Sequence, residues 1–149
     1  MVDQRPSDRE LYNKIEEAKS CLKEHKGRFA NQAKIVGELY ELEIDDTAEV
    51  WGLIRELLNE IKPNDYAGAR PPQKSYEKAI VNKELLAFSW QSTKLGKKMY
   101  LKFALQEGLF YYVSLHESRQ DSKEYGQNEM FGMRGRKLSE EESSLYARN

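Results

Sequence analysis

Residues 85–117 read LLAFSWQSTKLGKKMYLKFALQEGLFYYVSLHE, from Leu85 to Glu117. Apolar and polar residues alternate cleanly here, and side chains alternate between the two faces of a strand. Leu86, Phe88 and Trp90 then share one face of a first strand. Met99, Leu101, Phe103 and Leu105 share one face of a second. Leu109, Tyr111, Val113 and Leu115 do so in a third. Gln106-Glu107-Gly108 reads as a three-residue hairpin loop with glycine last, the position where a bulged turn favours it. That loop predicts the pairs Leu105–Leu109, Phe103–Tyr111, Leu101–Val113 and Met99–Leu115, all apolar. The loop at Thr93-Lys94-Leu95-Gly96 predicts Trp90 opposite Met99 and Phe88 opposite Leu101. Turn chemistry and hydrophobic rows agree, which supports a three-stranded antiparallel meander.

The chain before the meander has helical spacing. Ser7-Asp8-Arg9-Glu10 matches a capping box, and Leu11, Ile15, Ala18 and Leu22 follow at intervals of three and four. A first helix is predicted to about Lys26, with Gly27 just past its end. A second is predicted from Phe29 to Leu42, with Ala33, Val36, Leu39 and Tyr40 on its apolar face. A third begins after Asp46 and carries Val50, Trp51, Ile54, Leu57, Leu58 and Ile61 before Pro63 stops it. Residues 62–73 form a Pro- and Gly-containing connection, and 74–80 read as a short helix. The fold class is therefore α+β: N-terminal helices packed on a small twisted antiparallel sheet. One domain is expected over 1–117. Residues 118–149 read as a flexible or partly helical extension, with an apolar and basic cluster at 130–136 and a short helix near 139–146.

At 149 residues, 39% hydrophobic and 33% charged, the chain has enough apolar surface for one modest core and is not disordered throughout. No run approaches the ~18 apolar residues of a membrane span, so no membrane partner is expected. Met1-Val2-Asp3-Gln4-Arg5 has no apolar run behind it, so no secretory leader is expected and a cytoplasmic location is the default. The single cysteine, Cys21, excludes an intramolecular disulfide and a cysteine-rich zinc site. Neither a metal nor a cofactor is expected. Charge is split along the chain. Residues 1–61 carry 9 Lys/Arg against 14 Asp/Glu, and residues 62–119 carry 10 against 5. A basic segment on an acidic chain suits a polyanion, while lysines on a surface strand also serve to protect sheet edges.

The non-core face of the meander follows from the same parity. It places Gln91, Lys98 and His116 in one cross-strand row, Ser89, Tyr100 and Ser114 in the next, and Ala87, Lys102 and Tyr112 in a third. Metal-free RNA cleavage needs a base for the 2′-hydroxyl, an acid for the leaving oxygen and cations for the phosphate. Histidine titrates near neutral pH, so His116 suits acid or base. Tyr100 suits proton donation or phosphate holding. Lys98, Lys102 and Arg70 suit phosphate neutralisation, and Tyr112 and Phe110 suit base stacking. A binding face without chemistry, or an ordinary solvated strand surface, would carry the same residue types.

A family resemblance adds to this. Residues 38–46 (ELYELEIDD), the amphipathic helix after them, Pro63-Asn64-Asp65-Tyr66, Trp90-Gln91, Met99-Tyr100-Leu101-Lys102-Phe103 and Val113-Ser114-Leu115-His116-Glu117 carry it. Over roughly residues 11–117 the chain resembles the RelE-like superfamily of toxins, most closely the motility quorum-sensing regulator family of mRNA interferases. The resemblance implies a metal-independent endoribonuclease toxin of a type II toxin–antitoxin system. Such a toxin cleaves mRNA and is restrained by a cognate antitoxin protein. It puts the family's strand tyrosine on Tyr100, its late basic residue on His116 and its strand glutamine on Gln91. The family's lysine after the Asp-Tyr pair has no equivalent beside Tyr66, where Ala67-Gly68-Ala69 intervene. Arg70, Lys74 or Lys78 would take its place. The alternative is a non-catalytic RelE-like module that binds nucleic acid or a protein through the same sheet.

Overall fold

The structure, a computed structural model, describes residues 5–118. Helix α1 spans Asp8–Lys23, where Ser7 caps it by accepting a hydrogen bond from the Glu10 amide. Strand β1 is Gly27–Phe29, α2 is Ile35–Glu41 and α3 is Glu49–Leu58. Strands β2 (Leu86–Ser92), β3 (Lys97–Gln106) and β4 (Leu109–Glu117) follow. The sheet order is β1-β4-β3-β2. The expected α+β class holds: three helices lie with a small sheet, and the sheet is mixed because β1 joins β4 in parallel.

One face of the sheet is the core. Leu11, Ile15, Ala18 and Leu22 of α1 and Val50, Ile54, Leu57 and Leu58 of α3 bury against Leu86, Phe88, Trp90, Met99, Leu101, Phe103, Phe110, Tyr112 and Leu115. Burial of this apolar surface is the main force holding helices to sheet. Glu60 ties the end of α3 to the first hairpin, accepting from the Trp90 indole at 2.9 Å and the Lys94 amide at 2.8 Å. Burial would raise the Glu60 carboxyl, but these donors together with Ser92 and Thr93 outweigh it and hold its pKa below the ordinary value.

Several expectations are corrected. Gly27 does not end α1; His25 takes the left-handed position, at φ 62°. Gly27 instead lies in β1, where a Cβ would stand 2.6 Å from the Trp51 ring. The second helix is shorter than 29–42, because Phe29 pairs with Tyr112 and a 3-10 turn at Gln32–Lys34 intervenes. Its inward residues are Ile35 and Leu39, while Val36 and Tyr40 are 70% and 80% exposed. Over 74–80 only a 3-10 turn forms, Lys78–Ile80, and Tyr76 is 91% exposed. The extension expected at 118–149 lies, apart from Ser118, outside the described residues.

The predicted β2–β3 register is the observed one, with Trp90 opposite Met99 and Phe88 opposite Leu101. The β3–β4 register is not. Its turn has two residues, Glu107 and Gly108, both at positive φ (51° and 78°), as a type I′ hairpin requires. Gln106 therefore faces Leu109, Leu105 faces Phe110 and Phe103 faces Tyr112. A bulge then intervenes, and beyond it Lys102 faces Ser114, Leu101 faces Leu115 and Tyr100 faces His116. The inward row of β4 is thus Phe110, Tyr112 and Leu115, and Tyr111 and Val113 leave the core row.

Candidate nucleic-acid interface on the sheet

The second face of the sheet carries the chemistry-bearing side chains. At the end holding Ala104, which is fully buried, this face is covered. Gln106 donates to the carbonyl of Ala79 there, and Ile80 is buried. The other end presents three rows: Gln91 with Lys98, Ser89 with Tyr100 and His116, and Ala87 with Lys102 and Ser114. Gln91 and Lys98 are exposed, and Tyr100, Lys102, Ser114 and His116 are half-buried.

Tyr100 and His116 are direct cross-strand neighbours. Their rings stack with centroids 5.0 Å apart and planes 19° from parallel. The Lys102 ammonium lies 5.9 Å from the centroid of the Tyr100 ring, within cation–π range. The His116 Nδ1 is 2.8 Å from the Glu117 carbonyl. That contact favours the tautomer with the proton on Nδ1, leaving Nε2 as the acceptor. The arrangement sets an imidazole, a phenol and a cation side by side.

Of the residues singled out in the sequence, Gln91, Lys98, Tyr100, Lys102 and His116 share this face, with His116 one row nearer Tyr100 than expected. Tyr112 does not share it. The two-residue turn sets Tyr112 opposite Phe103 and so inward, where it is 0% exposed, and it offers no ring for base stacking; Phe110 is buried likewise. Burial, and then the hydrogen bond to Glu38, push the Tyr112 hydroxyl pKa far upward. Arg70 is exposed near Tyr66, on the segment that runs beside β2, where the Ala67 amide donates to the Ala87 carbonyl. Lys74 stands apart: with Lys14, Asn82, Lys83, Glu84, Leu86 and Leu105 it lines a cavity of about 320 Å³ on the helix side.

Glu38, quoted above only within the stretch 38–46, was not among the expected site residues. It reaches from α2 to β4, accepting from the Tyr112 hydroxyl at 2.5 Å, the Ser114 hydroxyl at 2.5 Å and the Leu115 amide at 2.9 Å. In the sequence it is one acid among many between residues 38 and 49. Only the three-dimensional pairing singles it out.

Burial lowers the Lys102 pKa, and repulsion from Lys34 adds to this while Glu38 opposes it. A lysine whose folded pKa lies below its unfolded value is a cost to stability at neutral pH, and that cost is relieved as pH rises through the folded pKa. Lys102→Met is therefore expected to stabilise the fold by about 1 kcal/mol. On the reading of this face as an RNA-binding surface, the same change is expected to weaken binding and reduce the slope of log affinity against log salt by about one phosphate contact. Thermal melting and a salt titration of RNA binding check the two halves separately.

Among the described residues, no helix is long and apolar enough to cross a membrane, and no group of three or more His, Cys, Asp or Glu is placed to hold a metal ion. Compared with models of protein families, with curated proteins and with solved structures, the chain finds no significant match in any of the three.

Proposed function

We propose that this chain is a metal-independent endoribonuclease of the RelE-like toxin kind, acting on mRNA in the cytoplasm and restrained by an antitoxin protein. The observation that supports this reading most is the stacked pair Tyr100–His116 with Lys98 and Lys102 on the adjoining rows. In the proposed reaction the 2′-oxygen attacks the adjacent phosphorus and loses its proton to a base. The bond from phosphorus to the 5′-oxygen breaks, and an acid protonates the departing oxygen. The products are a 2′,3′-cyclic phosphate and a free 5′-hydroxyl. His116 serves as one proton carrier, Tyr100 donates a proton or holds the phosphate, and the two lysines neutralise charge that grows on the phosphate oxygens. Gln91, beside Lys98, is suited to hydrogen-bond a base or ribose.

A second reading, a non-catalytic module binding nucleic acid or a protein through this sheet, is favoured by the exposed Gln91 and Lys98 beside the stacked pair, residue types that a binding surface carries equally well. Inducing the wild type and a Tyr100→Phe/His116→Ala double variant in bacteria separates the two. Growth arrest with transcript cleavage, both lost in the variant, is the result expected of the enzyme. Equal behaviour of the two proteins would sink this assignment of the site.

A further inference from the structure

We infer that Glu38 is a positioning residue whose carboxylate clamps the β4 bulge and so sets His116 against Tyr100. The cleavage consequence of this inference rests on the function proposed above; its geometric core does not.

The reasoning begins with parity. Phe103 faces Tyr112 and Lys102 faces Ser114, so Val113 is the extra residue in β4. Had pairing continued without it, Leu115 would stand opposite Tyr100 on the second face. His116 would stand opposite Met99, which is fully buried on the helix side. One extra residue reverses this, because side chains alternate with a period of two. Leu115 goes into the core, where it is fully buried, and His116 comes out beside Tyr100. Bulges re-aim side chains in this way, and they interrupt the ladder of backbone hydrogen bonds as they do so.

Glu38 supplies what the bulge interrupts. Strand β1 ends at Phe29, opposite Tyr112, and the Ala30 amide still donates to the Tyr112 carbonyl. Past that point, among the described residues, no strand pairs with β4 on this edge. The Leu115 amide donates to Glu38 Oε1, a side-chain carboxylate standing where a strand carbonyl would be. Oε1 also accepts from the Tyr112 hydroxyl, and Oε2 accepts from Ser114. These three donors lie on either side of Val113. A carboxylate offers about four acceptor sites, and bonds to an ionised acceptor are roughly twice as strong as neutral ones. The buried residues Ile35 and Leu39 fix α2, and with it Glu38, against the fold.

The test uses the full chain and reads the His116 ring by NMR, RNA cleavage and thermal melting. Stacking on Tyr100 gives the His116 ring protons an upfield displacement that exposed His25 lacks. Glu38→Ala is expected to move that signal toward the His25 position and to lower cleavage at least about 10-fold. Glu38→Gln is expected to restore both, since its oxygen can keep Tyr112 and Leu115 while its amide donates to Ser114. Leu57→Ala, a core truncation on α3, is expected to lower the melting point and leave the His116 signal in place, so that a signal moved by Glu38→Ala reports the clamp rather than a general loosening of the fold. Should Glu38→Ala fail to fold, Tyr112→Phe carries the test, with a smaller movement of the same signal expected. A His116 signal unmoved in the folded variant overturns the inference, as does cleavage lost with the signal retained. A signal that moves as expected in a protein that never cleaves RNA upholds the clamp and rejects the proposed function instead.

Discussion

On the proposed function, His116→Ala is expected to reduce RNA cleavage by roughly 10²-fold or more while leaving the melting temperature nearly unchanged. The size follows from the role. A positioned acid or base contributes two to four orders of magnitude, and no other histidine lies on this face. The small cost to stability follows from position: the ring is half-buried on the second face, and the core behind it is formed by Leu115 and Leu101. Single-turnover cleavage of a short RNA, measured beside calorimetry of the same preparation, gives both numbers. A cleavage rate within a factor of three of wild type would remove His116 from the chemistry. A large fall in melting temperature would mean that the stacked pair holds the sheet together rather than serving a reaction.

Phe103→Ala should be the most damaging of the core substitutions considered, costing about 3–5 kcal/mol. Phe103 is fully buried in the middle of the sheet. Its ring stacks on Phe110 at 5.0 Å and on Phe88 at 6.0 Å, and Tyr66 meets Phe88 edge-on at 5.9 Å. Truncation removes the central ring of that series and leaves a cavity that backbone hydrogen bonds to β2 and β4 prevent from closing. Since small domains have only about 5–15 kcal/mol of total stability, the variant should be close to unfolding at 37 °C. Urea denaturation is expected to show a much lower midpoint with an unchanged slope. A shift under ~1 kcal/mol would mean that the rings repack, contrary to the close packing described.

How far the fold could be read in the sequence depended on whether the deciding signal was local. Trp90 and Met99 pair as expected because the four-residue loop between their strands admits one alignment of two clean apolar rows. In Leu109-Phe110-Tyr111-Tyr112-Val113 both parities are apolar. Hydrophobicity therefore could not choose between a row through Tyr111 and Val113 and the actual row through Phe110 and Tyr112. Glu107 and Gly108 held the better clue, since both adopt positive φ in a two-residue turn. The bulge at Val113 was invisible because its clamp comes from Glu38, far away in the chain. Strand β1 was missed for the same reason: three residues have no periodicity of their own, and Phe29 becomes a strand residue only through Tyr112. For the site, Gln91, Lys98, Tyr100, Lys102 and His116 were legible because alternation survives any even shift in register. The direct stacking of Tyr100 on His116 was not.

The parallel pairing of β1 with β4 also bears on how the molecule is made. Gly27 meets Phe110, so a segment near the start of the described chain waits for one near its end. Such distant pairings slow folding, because the long loop must be closed before its contacts repay the lost entropy. During synthesis the helices leave the ribosome before the strand that completes their core. A product truncated before residue 113 would have neither the bulge nor His116. The nascent chain would therefore lack the candidate site until β4 had emerged and docked, and translation itself would set when that surface first exists.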